Sequence, residues 1–200
     1  MRSAPDSVQV TRGSFMRPPL VLAYHALGEV RREHDPEGLV ISPVELRKQV
    51  ERLQEREYEF VTMTEFGRRL VESRPLHGVC ALTFDDGSLD NGTLLPSLLR
   101  ALGVPATLYV CPGLLGEPHP WVRPEAGLRL MNLNELRAVA ELPLIEIGSH
   151  TNGHCDMEAI TDPSEAYGEL RVPVWALLAG LSGGRRPRGL SHRRHLRDPR

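Results

Sequence analysis

Two short stretches carry the side chains best suited to chemistry. The first is Thr83-Phe84-Asp85-Asp86-Gly87. Neighbouring carboxylates resist joint ionisation unless a cation or a hydrogen-bond network holds them. Placing two at the end of an apolar run, ahead of a glycine turn, is therefore a costly arrangement. The second stretch is Ser149-His150-Thr151-Asn152-Gly153-His154, which also follows an apolar run. Two imidazoles and a carboxylate form a three-ligand set for a divalent metal, with an open position for water. The remaining carboxylate is then free to act as a base on that water. For each stretch a plainer reading exists. Asp-Asp-Gly is a common turn, and two histidines in a polar loop can simply be solvated. Spacing of four residues puts both imidazoles on one face only in a helix. In a loop the backbone must fold to bring them together, and Gly153 permits that.

These residues resemble the motifs of the polysaccharide deacetylases, the NodB-homology domain of carbohydrate esterase family 4. There the first motif is Thr-Phe-Asp-Asp-Gly and the second is His-Ser/Thr-x-x-His, and both stand in this chain without departure. The resemblance implies that Asp85 is the general base and that Asp86, His150 and His154 bind a divalent metal, with zinc the first choice. It implies removal of N-acetyl groups from the amino sugars of a poly- or oligosaccharide, so the expected partner is an N-acetylated glycan. Some family members carry a strand end similar to Tyr24-His25, whose histidine lies at the active site. His25 is accordingly expected to be the general acid, the alternative being a hydrogen-bonded structural histidine. Two other functions stay open: hydrolysis of another small amide on the same fold, and an impaired or inactive remnant of such a domain. A metalloprotease is disfavoured, because the chain has no His-Glu-x-x-His helix.

The elements needed to hold these residues are legible in order. Leu20–Tyr24 reads as a buried strand delivering His25 at its end. Ser42, Pro43 and Glu45 start a helix as N-cap, first position and capping box. Its inward face is Leu46, Val50 and Leu53. A strand over 58–61 follows, then a helix capped by Thr62 and Glu65, then the apolar strand 79–84. Leu94, Leu95, Leu98, Leu99 and Leu102 share a helical face that Gly103 terminates, with Pro96 confined to the first turn. Residues 106–111 read as a strand. The Gly/Pro-rich stretch 112–130, with Trp121, is expected to form a substrate lip. Asn132 and Glu135 cap another helix, and 144–147 is the strand leading to the histidine motif. Asp162, Pro163 and Glu165 open a last helix. Strand and helix alternate, which predicts an α/β fold with a parallel sheet or barrel. The resemblance sharpens this to a distorted (β/α) barrel of the NodB-homology type, incomplete at its C-terminus.

Composition sets the outer bounds. Two hundred residues suffice for one domain with a real core. The formal net charge is -2, but the basic residues are uneven. Residues 172–200 hold seven Arg and one acid, Asp198, leaving an acidic body with no basic groove for nucleic acid. No apolar run reaches the ~18 residues of a membrane span. The polar N-terminus lacks a signal core, which makes the cytoplasm the default location. The three cysteines form no paired framework. Asp90 and Asn91 are expected to bond the turn or face substrate, and His34, His77 and His119 to be solvated in loops. The expected organisation is a disordered segment at 1–17, the deacetylase-like domain at 18–171, and an aberrant basic tail at 172–200. That tail is read as a frameshift or truncation, because Pro173 breaks the last helix and apolar periodicity stops there, the alternative being a natural divergent tail that is solvated and basic.

Overall fold

The computed structural model describes residues 17–171. The expected N-terminal segment and basic tail therefore lie outside the described residues, apart from Arg17. That residue is held in place: its guanidinium donates to the carbonyls of Arg56 and Glu57 at 3.0 and 2.9 Å.

The organising strand is β5 (Val79–Phe84), whose six residues are all buried. Along one edge it pairs in parallel with β1 (Leu20–Tyr24) over the full length of both. Its other edge is shared. β4 (Glu59–Val61) pairs with the first half of β5, and β6 (Ala106–Val110) pairs with Thr83 and Phe84 at the end. β7 (Ile145–Ser149) then lies parallel to β6. All these pairings are parallel, so every strand points its C-terminus at the same rim, where βα folds build their sites. A small parallel pair, β2 (Ala26–Leu27) and β3 (Val40–Ile41), extends the rim beyond β1.

Helices return the chain between strands. α1 (Pro43–Glu55) buries Leu46 and Val50. α2 (Met63–Val71) follows β4. α3 (Asp90–Thr93) runs into α4 (Leu95–Leu102), which buries Leu95, Leu98 and Leu99. α5 (Leu133–Ala140) buries Leu136 and Val139. These side chains meet Leu82, Phe84, Leu108 and Val110 from the sheet in one apolar core. Residues 163–171 form a last helix, α6, begun by Asp162, whose side chain accepts from the Ser164 N–H at 2.8 Å.

The local signals are mostly realised. Pro96 sits in the first turn of α4, and Gly103 ends it in a left-handed conformation. The reciprocal capping box forms at α5 between Asn132 and Glu135. At α1 and α2 only half of it forms. Ser42 and Thr62 cap the Glu45 and Glu65 amides, while the two carboxylates turn to Lys48 and to Arg68 and Arg69. A charged partner one turn away outcompetes the neutral N-cap amide. β1 also departs from the buried pattern: Val21 is 46% exposed, and burial alternates along the strand. Among the described residues β1 packs only one face on the core.

Candidate active site

Asp86 follows β5 by two residues, and the two histidines follow β7. Between them stands β6, so the side chains must reach across its end. Strands lie about 4.8 Å apart; β5 and β7 are thus too distant for direct contact, and β6 must stop to leave room. It does so at Val110. The carbonyl of Val110 accepts from the His150 N–H at 2.8 Å. Its side chain lies so close to Gly87 that a Cβ there would meet Val110 Cγ1 at 2.8 Å. Gly87 is therefore required twice, by this approach and by its φ of 87°.

The three proposed ligands converge. The Nε2 atoms of His150 and His154 lie 3.8 and 3.6 Å from Asp86 Oδ1, and the ligand atoms of all three residues fall within 4.8 Å of one another. Asp86 is 1% exposed, and its Oδ1 has no hydrogen-bond partner. A buried carboxylate oxygen left without a donor is expensive. Burial pushes the Asp86 carboxyl above the ordinary carboxylate range, opposed by the nearby His25, His154 and His150. A cation between the three groups would satisfy that oxygen. Spacings of 3.6–3.8 Å suit ligand atoms each about 2 Å from one ion, so the residues present fit a divalent metal.

Residues 73–190 match the family model for polysaccharide deacetylases. The chain belongs to the polysaccharide deacetylase family. It is an enzyme of the deacetylase class, and the matched span includes both motifs. No curated protein matches the chain. Among solved structures, the deacetylase PplD of Streptococcus pyogenes, in complex with acetate, is 22% identical. That match covers 88% of this chain and 77% of that one with a TM-score of 0.67. IcaB from Ammonifex degensii is 20% identical over 87% of this chain and 76% of its own, with a TM-score of 0.65. A polysaccharide deacetylase from Bacillus cereus is 21% identical over 82% and 48%, with a TM-score of 0.62. At these identities the likeness is one of fold: the α/β architecture is that of NodB-type deacetylases.

The rest of this deacetylase's site shows what the sequence concealed. Asp85 is half-buried beside Asp86, its N–H donating to the Tyr24 carbonyl at 2.9 Å. His25 is also half-buried and lies near enough to Asp86 to favour its ionised form. Its carbonyl accepts from Asn91 Nδ2 at 2.7 Å. Asp90 accepts from the Leu27 N–H and the Ser88 hydroxyl. Asp90 and Asn91 thus tie the β5 turn to the end of β1. Cys111, the last residue of the strand expected over 106–111, falls just past β6. Burial pushes its thiol up to about 12, so it stays protonated and donates to the His150 carbonyl at 3.1 Å.

The stretch 112–130 is an ordered excursion. Leu130 N–H donates to Glu117 at 2.9 Å, His119 N–H to Leu128 at 3.0 Å, and Arg123 N–H to His34 at 2.9 Å. It brings Trp121 over the site, with ring centroids 4.2 Å from His154. His119, expected to be solvated, is only 4% exposed, and neither ring nitrogen has a hydrogen-bond partner. Its ring meets Trp121 edge-on at 5.9 Å. The loop position was legible, but the inward turn of the ring was not. Among the described residues no helix is long and apolar enough to cross a membrane.

Proposed function

We propose that the protein removes N-acetyl groups from amino sugars of a poly- or oligosaccharide, using a divalent ion, most naturally zinc, held by Asp86, His150 and His154. The observation that carries this reading is the buried Asp86 Oδ1, without a partner and facing two imidazoles, in a chain of the polysaccharide deacetylase family. When bound, the ion supplies Lewis acidity: it polarises an acyl carbonyl and makes water more acidic.

The chain's own groups supply the rest. Asp85 takes a proton from the attacking water as the new C–O bond forms. His25 gives a proton to the sugar nitrogen as the C–N bond breaks, leaving acetate and a free amine. The acid is needed because an unprotonated amine nitrogen is a poor leaving group. Asp86 is suited to holding a cation, since its buried Oδ1 has no hydrogen-bond partner and both imidazoles face it. Trp121 and the ordered 112–130 lip border the site on the β7 side, where a sugar ring would rest.

The test is acetate release from N-acetylated chito-oligosaccharides, run beside metal analysis of the same samples. Wild type is expected to hold one ion per chain and to release acetate. Asp85→Asn should keep the ion and lose roughly 10²–10⁴-fold in turnover, the usual contribution of a general base. His150→Ala should lose the ion. Wild-type turnover in Asp85→Asn would remove Asp85 from the mechanism, and metal retained in His150→Ala would remove the proposed centre.

A further inference from the structure

The loop joining the two histidines is held from outside by one carboxylate. Glu169, on α6, accepts from the N–H groups of Asn152 and Gly153, each at 2.8 Å. Both bonds end on the same oxygen, Oε2. On the other side of the loop the Asn152 carbonyl accepts from the Gly113 N–H at 2.9 Å. Inside it, Thr151 Oγ1 accepts from the His154 N–H at 3.1 Å.

This turn needs holding. Thr151 and His154 sit at φ values of 61° and 56°, a region that residues with a Cβ adopt only where their surroundings over-determine them. The sequence spacing of the two histidines brings their rings to one point only through this backbone path. Two adjacent amides converging on one oxygen fix the middle of the path, two residues from His150 and one from His154. Glu169 is not one of the three residues whose ligand atoms converge; its Oε2 is engaged by those two amides.

We propose that Glu169 is a positioning residue for the metal centre, its Oε2 shaping the turn that presents His150 and His154 to a common ion. The inference rests on reading Asp86, His150 and His154 as the metal ligands. It ties α6, which carries no motif residue, to the chemistry of the rim.

The experiment is a competitive zinc titration against a chromophoric chelator, on the full 200-residue chain. Wild type, Glu169→Ala, Glu169→Gln and His150→Ala are compared, and the unfolding midpoint of each is measured after treatment with EDTA. Glu169→Ala is expected to bind zinc about ten- to a hundred-fold more weakly, the usual effect of losing a group that orients a metal ligand. Glu169→Gln keeps one carbonyl oxygen able to accept both amides and is expected to bind close to wild type. A residue important only for folding would lower the zinc-free midpoint and would not separate Gln from Ala in affinity. If Glu169→Ala does not fold, Glu169→Asp takes its place, since the shorter side chain withdraws the oxygen from the amides. Wild-type affinity in Glu169→Ala, or equal losses in Ala and Gln, would overturn the inference while leaving the metal centre standing. No zinc uptake by wild type would overturn both.

Discussion

His119 is buried as a neutral imidazole, and that should be visible as acid sensitivity. Burial lowers its pKa from 6.5 to about 4, with His25 pushing the same way and Asp35 weakly opposing. In the unfolded chain the ring takes a proton near 6.5, whereas in the folded protein it resists until about 4. Between those values the unfolded state binds more protons, so stability rises with pH and falls on acidification. At 1.36 kcal/mol per pKa unit the whole window is worth roughly 3 kcal/mol, of which about 2 kcal/mol is lost between pH 7 and pH 5.

The perturbation is His119→Phe, which keeps a flat ring against Trp121 and removes both unpartnered nitrogens. Urea unfolding of both proteins is followed from pH 7 down to pH 5, with EDTA present so that metal release does not contribute. Every other group is common to the two proteins, so its contribution cancels in the difference between the two curves. With a denaturant slope of about 2 kcal/mol per M, wild type should lose roughly 1 M in midpoint relative to the variant over that range. At pH 7 the variant should be at least as stable as wild type, because no unsatisfied nitrogen remains buried. Parallel curves would mean that His119 protonates as easily folded as unfolded. The reasoning from its burial would then be wrong.

Other outcomes follow from the same geometry. Asp86→Asn should abolish zinc binding yet stabilise the metal-free protein at pH 7 by about 1–3 kcal/mol, by removing a buried, unpartnered charge. The Asp86 pKa is raised, so the metal-free wild type loses this stability as pH rises from the ordinary carboxylate value of 3.8. A drop in EDTA-treated melting temperature for Asp86→Asn would contradict this. Gly87→Ala should cost about 2–5 kcal/mol in chemical unfolding, combining a left-handed Ala with overpacking against Val110; a change below 1 kcal/mol would refute it. His25→Gln should lower kcat more than it raises KM, while an unchanged kcat would assign the acid elsewhere.

Much of this fold was legible because its signals are local. Ser42-Pro43, Pro96 with Gly103, and Asn132 with Glu135 each act within one helical turn. Each is found where the sequence places it. The apolar run 79–84 is buried on both faces, and that identifies a central parallel strand. What stayed hidden depends on contacts distant in sequence. The fully apolar run at 20–24 gave no hint that Val21 would face outward, since exposure there is decided by what packs on β1. Glu45 and Glu65 both fit a capping box, but basic residues a turn away draw their carboxylates off. His119 looked like any loop histidine until the 112–130 excursion folded inward.

The candidate site was legible for a different reason. Its residue types are chemically expensive, and such residues have few bland explanations when they end apolar runs. Beyond the turn at Gly87, its backbone was not legible. Of the five non-glycine residues with positive φ in the described chain, three are Asp86, Thr151 and His154. None is a residue type that announces such a conformation as glycine does, and Thr, being β-branched, is among the least suited to it. The strain is concentrated where the three ligands must converge from two loops across the end of β6, and it is opposed by fixed contacts. The Gly87 carbonyl accepts from the Met131 N–H at 2.9 Å, and Glu169 holds the Asn152 and Gly153 amides. Local propensity and the global fold disagree at these positions, and the disagreement is resolved by residues that no motif contains. A search for further determinants of this chemistry therefore belongs among the partners of the strained backbone, before the conspicuous side chains of the rim.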